Sequence, residues 1–195
     1  MREGGRRGLR RKRGEKLHEE DEALGVADYI RIGRLVENEL APRTKLHLHY
    51  DYPVAFRPLS RLAGLDGNGV CGIHGILGLL PDGHYALCGS GAHIPELVFG
   101  DVRVDPLEVV WRQHPTLQSI RENIPVRLEG ICSRCLVKNR CLGACVAQNY
   151  YRSGSLLAPF WFCEEADRTK LFPSTRLASA QIACCNTELG GIRTN

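Results

Sequence analysis

An α+β fold, a small cysteine-rich domain with a β-hairpin and short helices, is predicted from three features of the sequence. A turn motif, Pro81-Asp82-Gly83, separates two runs of strand character; helical patterns lie on both sides of that pair; and seven of the nine cysteines fall between residues 71 and 163. The 195 residues allow one ordinary domain plus an extension. With 43% hydrophobic and 25% charged residues, most of the chain is expected to fold.

Residues 1–24 are rich in Arg, Gly and Glu without apolar periodicity and are expected to form a disordered basic extension. Residues 1–16 carry +6 against +4 for the whole chain, so the remainder stands at −2. A basic surface for nucleic acid is therefore not expected on the folded part. In residues 25–66, Ile30, Ile32, Leu35, Val36 and Leu40 recur at helical spacing up to Ala41-Pro42, which predicts a helix over 27–40. Alternating Leu46, Leu48 and Tyr50 predict a strand over 45–51. One helix followed by one strand is compatible with the last piece of an alternating α/β barrel.

Residues 67–176 are expected to be the main domain. Ile76–Leu80 and His84–Leu87 form the arms of the hairpin, with Gly83 supplying the positive φ of the turn. Pro106–Trp111 and Thr116–Arg121 predict two short helices divided by His114-Pro115. From 164 onward the chain reads as polar and irregular, ending in a tail over 177–195.

No apolar run approaches the roughly 18 residues of a membrane span, and the basic N-terminus lacks the apolar segment of an export signal. The expectation is a cytoplasmic protein with no membrane partner, whose thiols stay reduced and are available for metal or cluster ligation. Cys132 to Cys145 reads Cys-x2-Cys-x5-Cys-x3-Cys, four thiols within 14 residues, close enough for one loop to wrap a metal centre. Cys88 follows the hairpin, Gly72 and Gly75 can bend Cys71 back towards it, and Cys163 follows the aromatic run Phe160-Trp161-Phe162, which can shield a cluster from water. A structural zinc module is the alternative, although zinc sites of four cysteines usually contain two Cys-x2-Cys pairs.

The full pattern is Cys71-x11-Gly83-x4-Cys88, Cys132-x2-Cys135-x5-Cys141-x3-Cys145, then Cys163. It resembles the seven-cysteine signature of the SPASM domain, the C-terminal part of radical S-adenosylmethionine enzymes that mature ribosomally made peptides. The segments GLLPDGHYALCGSG, LVFGDV, DPLEVVWRQHPTLQSIR and GICSRCLVKNRCLGACVAQNYY carry the same resemblance, nearest to the maturases of SynChlorMet cassettes. It implies that the helix and strand of 25–66 are the end of the catalytic barrel. It further implies two 4Fe-4S clusters, one held by Cys71, Cys88 and Cys145 and the other by Cys132, Cys135, Cys141 and Cys163. The role implied is electron transfer and positioning of a precursor peptide.

Seven thiolates leave one iron corner without a cysteine. His74, Asp66, Cys184 and Cys185 are candidates for it, although a loop histidine and free thiols in a polar tail are the plainer readings. The Cys-x3-Cys-x2-Cys loop that binds the catalytic cluster and S-adenosylmethionine is absent from the sequence. The chain is therefore expected to need a separate or missing barrel domain for that cofactor, or else to be an inactive fragment. Arg57, Arg61, His84, His93, Arg134, Lys138 and Arg140 are read as solvated surface groups that could also tune a cluster or meet an anionic peptide, and Phe160, Trp161 and Phe162 as packing.

Overall fold

The computed structural model describes residues 24–46, 48, 50–63 and 71–179. Nearly all of the basic extension, most of the tail, Asp66, Cys184 and Cys185 lie outside the described residues. The fold is α+β: short helices around a three-stranded antiparallel sheet. Among the described residues no helix is long and apolar enough to cross a membrane.

Helix α1 spans Val26–Leu35 and widens into a π turn over Val36–Leu40 and a 3-10 turn over Ala41–Arg43, in line with the expected 27–40. Gly33 is required on its inner face, because a Cβ there would lie 2.3 Å from the Tyr52 ring. In the π turn Glu37 is buried and accepts a hydrogen bond from the Tyr50 hydroxyl.

The expected strand at 45–51 is corrected. Its described residues join no ladder and Leu46 is 76% exposed. Alternation alone does not make a strand where no neighbouring edge offers backbone partners. The segment is instead an irregular strap that packs Tyr52 on α1. Arg57 ties it down by donating from Nε to the Tyr52 carbonyl at 3.2 Å and from Nη2 to the Tyr50 carbonyl at 3.3 Å. A short helix, α2, follows at Leu59–Ala63.

The hairpin forms around the expected turn. Strand β1 is Gly78–Leu79 and β2 is His84–Ala86; the Gly83 N–H donates to the Leu80 carbonyl at 3.0 Å, and Gly83 has φ +91°. Strand β3, Val98–Asp101, pairs antiparallel with β2, with a register shift between Tyr85 and Ala86. Helices α3 (Leu107–Gln113) and α4 (Pro115–Asn123) meet at His114, whose extended backbone is what a following proline enforces.

The cysteine-rich region, expected as a loop, is mostly helical: α5 spans Gly130–Arg134, α6 Lys138–Cys141 and α7 Val146–Ser153. The segment from 164 onward is also more ordered than expected. Helix α8 runs Trp161–Arg168 and buries Phe162, Cys163 and Ala166 on one face. The chain then turns back along α5: Leu136 N–H donates to the Arg176 carbonyl and Ala178 N–H to the Arg134 carbonyl, both at 2.9 Å. The core joins these parts through Leu87, Leu97, Ile120, Ile131, Val146 and Phe162, with Cys132, Cys135 and Cys163 inside the same apolar cluster.

Candidate metal centre

All seven cysteines of the pattern are free thiols. Packing gathers them into two sets of electrostatic neighbours. Burial pushes the Cys163 thiol up strongly, and the thiols of Cys132, Cys141 and Cys135 push it further. Cys141 is pushed up to about 12 by burial and by Cys132 and Cys135. Cys132 is pushed up to about 11 by burial, with Cys135 and Glu164 adding to it. In the other set, burial raises Cys71, followed by the neighbouring thiols of Cys145 and Cys88. Cys145 is raised by burial, by Cys88 and by Asp51. No thiol of either set figures among the groups that shift a thiol of the other.

Short elements position each sulfur. Cys132 lies on α5 and Cys135 caps it; Cys141 ends α6; Cys145 precedes α7; Cys163 lies on α8. Between Cys141 and Cys145 the chain passes through three consecutive left-handed residues, Leu142 (φ 54°), Gly143 (φ 76°) and Ala144 (φ 58°). Two of them carry side chains that disfavour this conformation, so local strain is held here by the surrounding packing.

Backbone N–H groups from this run and from neighbouring segments act on the sulfurs. Cys71 receives one from Ile73, Cys135 from Val137, Cys141 from Ala144 and Gly143, Cys145 from Gln148 and Ala147, and Cys132 from Phe160. Hydrogen bonds of this kind stabilise a thiolate, not a thiol, and are a lever by which proteins tune sulfur-ligated iron. Cationic groups act in the same direction: Arg176 and Lys138 both lower the Cys135 thiol against its burial.

Helices α5 and α8 are joined beside the second set. The Glu164 carboxylate accepts the Ile131 N–H at 2.9 Å, satisfying a free donor at the start of α5. Gly130 is needed there, since it has φ +52° and a Cβ would lie 2.6 Å from Glu164 Oε2. Gly130→Ala is expected to lower the unfolding free energy by about 2–3 kcal/mol through backbone strain and loss of this hydrogen bond. Urea denaturation of the metal-free protein measures it.

Among the described residues no three His, Cys, Asp or Glu side chains close around a point that would hold a single metal ion. Tetrahedral zinc needs four such donors. Unpaired thiolates in this interior would repel one another, and a bound metal would relieve both the repulsion and the burial cost while displacing the thiol protons.

The remaining candidates scatter. His74 lies in the Gly72–Gly75 turn after Cys71, and its Nε2 is buried without a hydrogen-bond partner among the described residues. Arg57, read as surface, is 8% exposed and holds the strap. Arg140 donates to the Leu62 carbonyl at 2.6 Å and Lys138 to the Ser133 carbonyl at 3.0 Å. Arg134 pairs with Asp167 and His84 with Asp82 at the surface; His93 is exposed; the Arg61 side chain lies outside the description. Glu164 and Arg176 were not singled out from the sequence, because each acts across a packing contact that local spacing does not encode.

These thiols set a pH dependence for the metal-free protein. Unfolded, Cys132 would lose its proton near 9; folded, it holds it to about 11. Between these values the unfolded chain binds fewer protons, so stability falls as pH rises, by about 3 kcal/mol for a shift of this size. The contribution is complete below pH 9. The urea midpoint is expected to fall from pH 8.5 to 10.5, and Cys132→Ala is expected to flatten that fall.

Comparison with protein-family models, with curated proteins and with solved structures returns no match.

Proposed function

We propose that this chain is an auxiliary iron-sulfur module of the SPASM kind, the C-terminal part of a radical S-adenosylmethionine system that matures ribosomal peptides. Cys71, Cys88 and Cys145 would hold one 4Fe-4S cluster, and Cys132, Cys135, Cys141 and Cys163 the other. The observation that supports this reading most is that the electrostatic neighbours of the thiols fall into two sets, with Cys132, Cys135 and Cys163 of the second buried and five of the seven thiols served by backbone N–H donors.

When bound, such clusters supply one-electron transfer. The chain's own part is to hold the sulfurs as thiolates, to set positive charge beside Cys135 through Arg176 and Lys138, and to exclude water with the buried rings of Phe160 and Phe162. Cleavage of S-adenosylmethionine would belong to a barrel on a partner or on a missing N-terminal domain. Helix α1 would be that barrel's last helix, and the exposed Ile32, Leu35 and Leu40 along it and its π turn suit a protein neighbour. The cytoplasm is the expected compartment, and the precursor peptide the expected substrate.

Anaerobic purification and reconstitution with iron and sulfide test the assignment. About eight iron atoms per chain, a brown colour and reducible paramagnetic signals are expected. Colourless protein with stoichiometric zinc would overturn it. Co-expression with a barrel partner, followed by an assay of S-adenosylmethionine cleavage, tests the wider role.

A further inference from the structure

A second polar site shares Arg176 with the surroundings of Cys135. Helix α1, the strap and the turn at Ser174–Arg176 border a half-open cavity of about 260 Å³, lined by Arg34, Glu37, Tyr52, Arg57 and Arg176 among others. Tyr52 is 3% exposed and its hydroxyl has no hydrogen-bond partner among the described residues. The Arg176 Nε–H is likewise buried and unpartnered there. Two orphaned donors on residues lining one cavity call for a ligand, because buried polar groups left unpaired are costly and uncommon.

The other groups narrow its chemistry. Arg57 is occupied with the Tyr50 and Tyr52 carbonyls, and Glu37 already accepts from Tyr50. Arg34 lies at the exposed mouth of the cavity and close enough to act on Tyr52. Arg176 donates from Nη2 to the Arg57 carbonyl at 3.2 Å, so what the cavity offers is its unpartnered Nε–H, the Arg34 guanidinium and a phenol. Guanidinium groups bind planar oxyanions through paired hydrogen bonds, and the buried Glu37 carboxylate on the same wall disfavours a doubly charged phosphate.

We propose that this cavity binds a single carboxylate group, held by Arg34, Arg176 and the Tyr52 hydroxyl, and that an acidic side chain of a peptide or a small free acid supplies it. The site needs no metal, and Arg34 and Tyr52 do not figure among the groups that shift any of the thiols, so binding measured on the metal-free chain and its Arg34 and Tyr52 variants tests it separately from the clusters.

Calorimetric titration of the full chain with N-acetyl-glutamate methylamide, its glutamine counterpart, succinate and inorganic phosphate tests the proposal. Saturable binding of the glutamyl probe is expected, at least tenfold tighter than the glutamine probe, with phosphate weaker. Succinate weaker than the glutamyl probe points to a peptide source, and the reverse to a free acid. Arg34→Gln, at an exposed helix position, and Arg176→Gln are each expected to weaken binding about tenfold. Tyr52→Phe is expected to weaken it several-fold while leaving the melting temperature unchanged or raised, since it removes an unpaired hydroxyl. Equal affinity for the glutamyl and glutamine probes, tighter phosphate binding, or a Tyr52→Phe protein that melts lower with unchanged affinity would overturn the proposal.

Discussion

Cys141→Ala and Cys145→Ala, only four residues apart, are expected to remove different clusters from the reconstituted protein. Each single variant should retain about four of about eight iron atoms, with a different paramagnetic signal lost in each case. Cys141→Ala with Cys163→Ala should retain about four, because both act on the second set. Cys141→Ala with Cys145→Ala should retain almost none. Iron and sulfide analysis with spectroscopy of the reduced protein reads all four results, and loss of the same signal in both single variants would sink the assignment. The left-handed run Leu142-Gly143-Ala144 separates the two cysteines, and their electrostatic neighbours differ. Cys141 responds to Cys132 and Cys135, whereas Cys145 responds to Cys88.

Phe162→Ala is expected to destabilise the metal-free protein by about 3–5 kcal/mol, in the range for truncating a fully buried aromatic ring. Phe162 is 2% exposed and sits where α1, the turn after the strap and α8 converge. Its ring meets Tyr29 at 5.5 Å and Phe56 at 5.4 Å, both edge-on, and stacks on Phe160 at 6.3 Å. A cavity there would loosen α8, which carries Cys163, and would release α1 from the domain. Phe162→Leu should lose substantially less. Urea unfolding measures both, and a loss below about 1 kcal/mol for the alanine variant would show that the site collapses without cost.

Several parts of the fold are legible in the sequence because their causes are local. Gly83 supplies a positive φ that few other residues tolerate, so the Pro81-Asp82-Gly83 turn is readable from three residues. Pro115 enforces the break between α3 and α4, and the apolar spacing from Ile30 to Leu40 marks α1 with its π extension. The misread segments have non-local causes. Leu46, Leu48 and Tyr50 alternate like a strand, but Tyr50 and Tyr52 are engaged by Glu37, Arg57 and the groove at Gly33. In α8 the apolar run Phe160-Trp161-Phe162 hides the helical spacing of Phe162, Cys163 and Ala166. Nothing next to Arg57 in the chain announces that its guanidinium will be buried.

The sequence by itself determined the α+β class, the hairpin turn, the paired helices and the reserve of seven reduced-type thiols at their spacings, because backbone preferences and side-chain chemistry are properties of a few adjacent residues. Only the tertiary structure decided which thiols neighbour one another, that α8 and the returning segment brace α5, and that Arg57 and Arg176 turn inward. Those outcomes depend on packing between elements tens of residues apart. Spacing limits how far two cysteines can be separated, but the left-handed run at 142–144 and the burial of Phe162 beside Cys163 are held by packing with the rest of the fold.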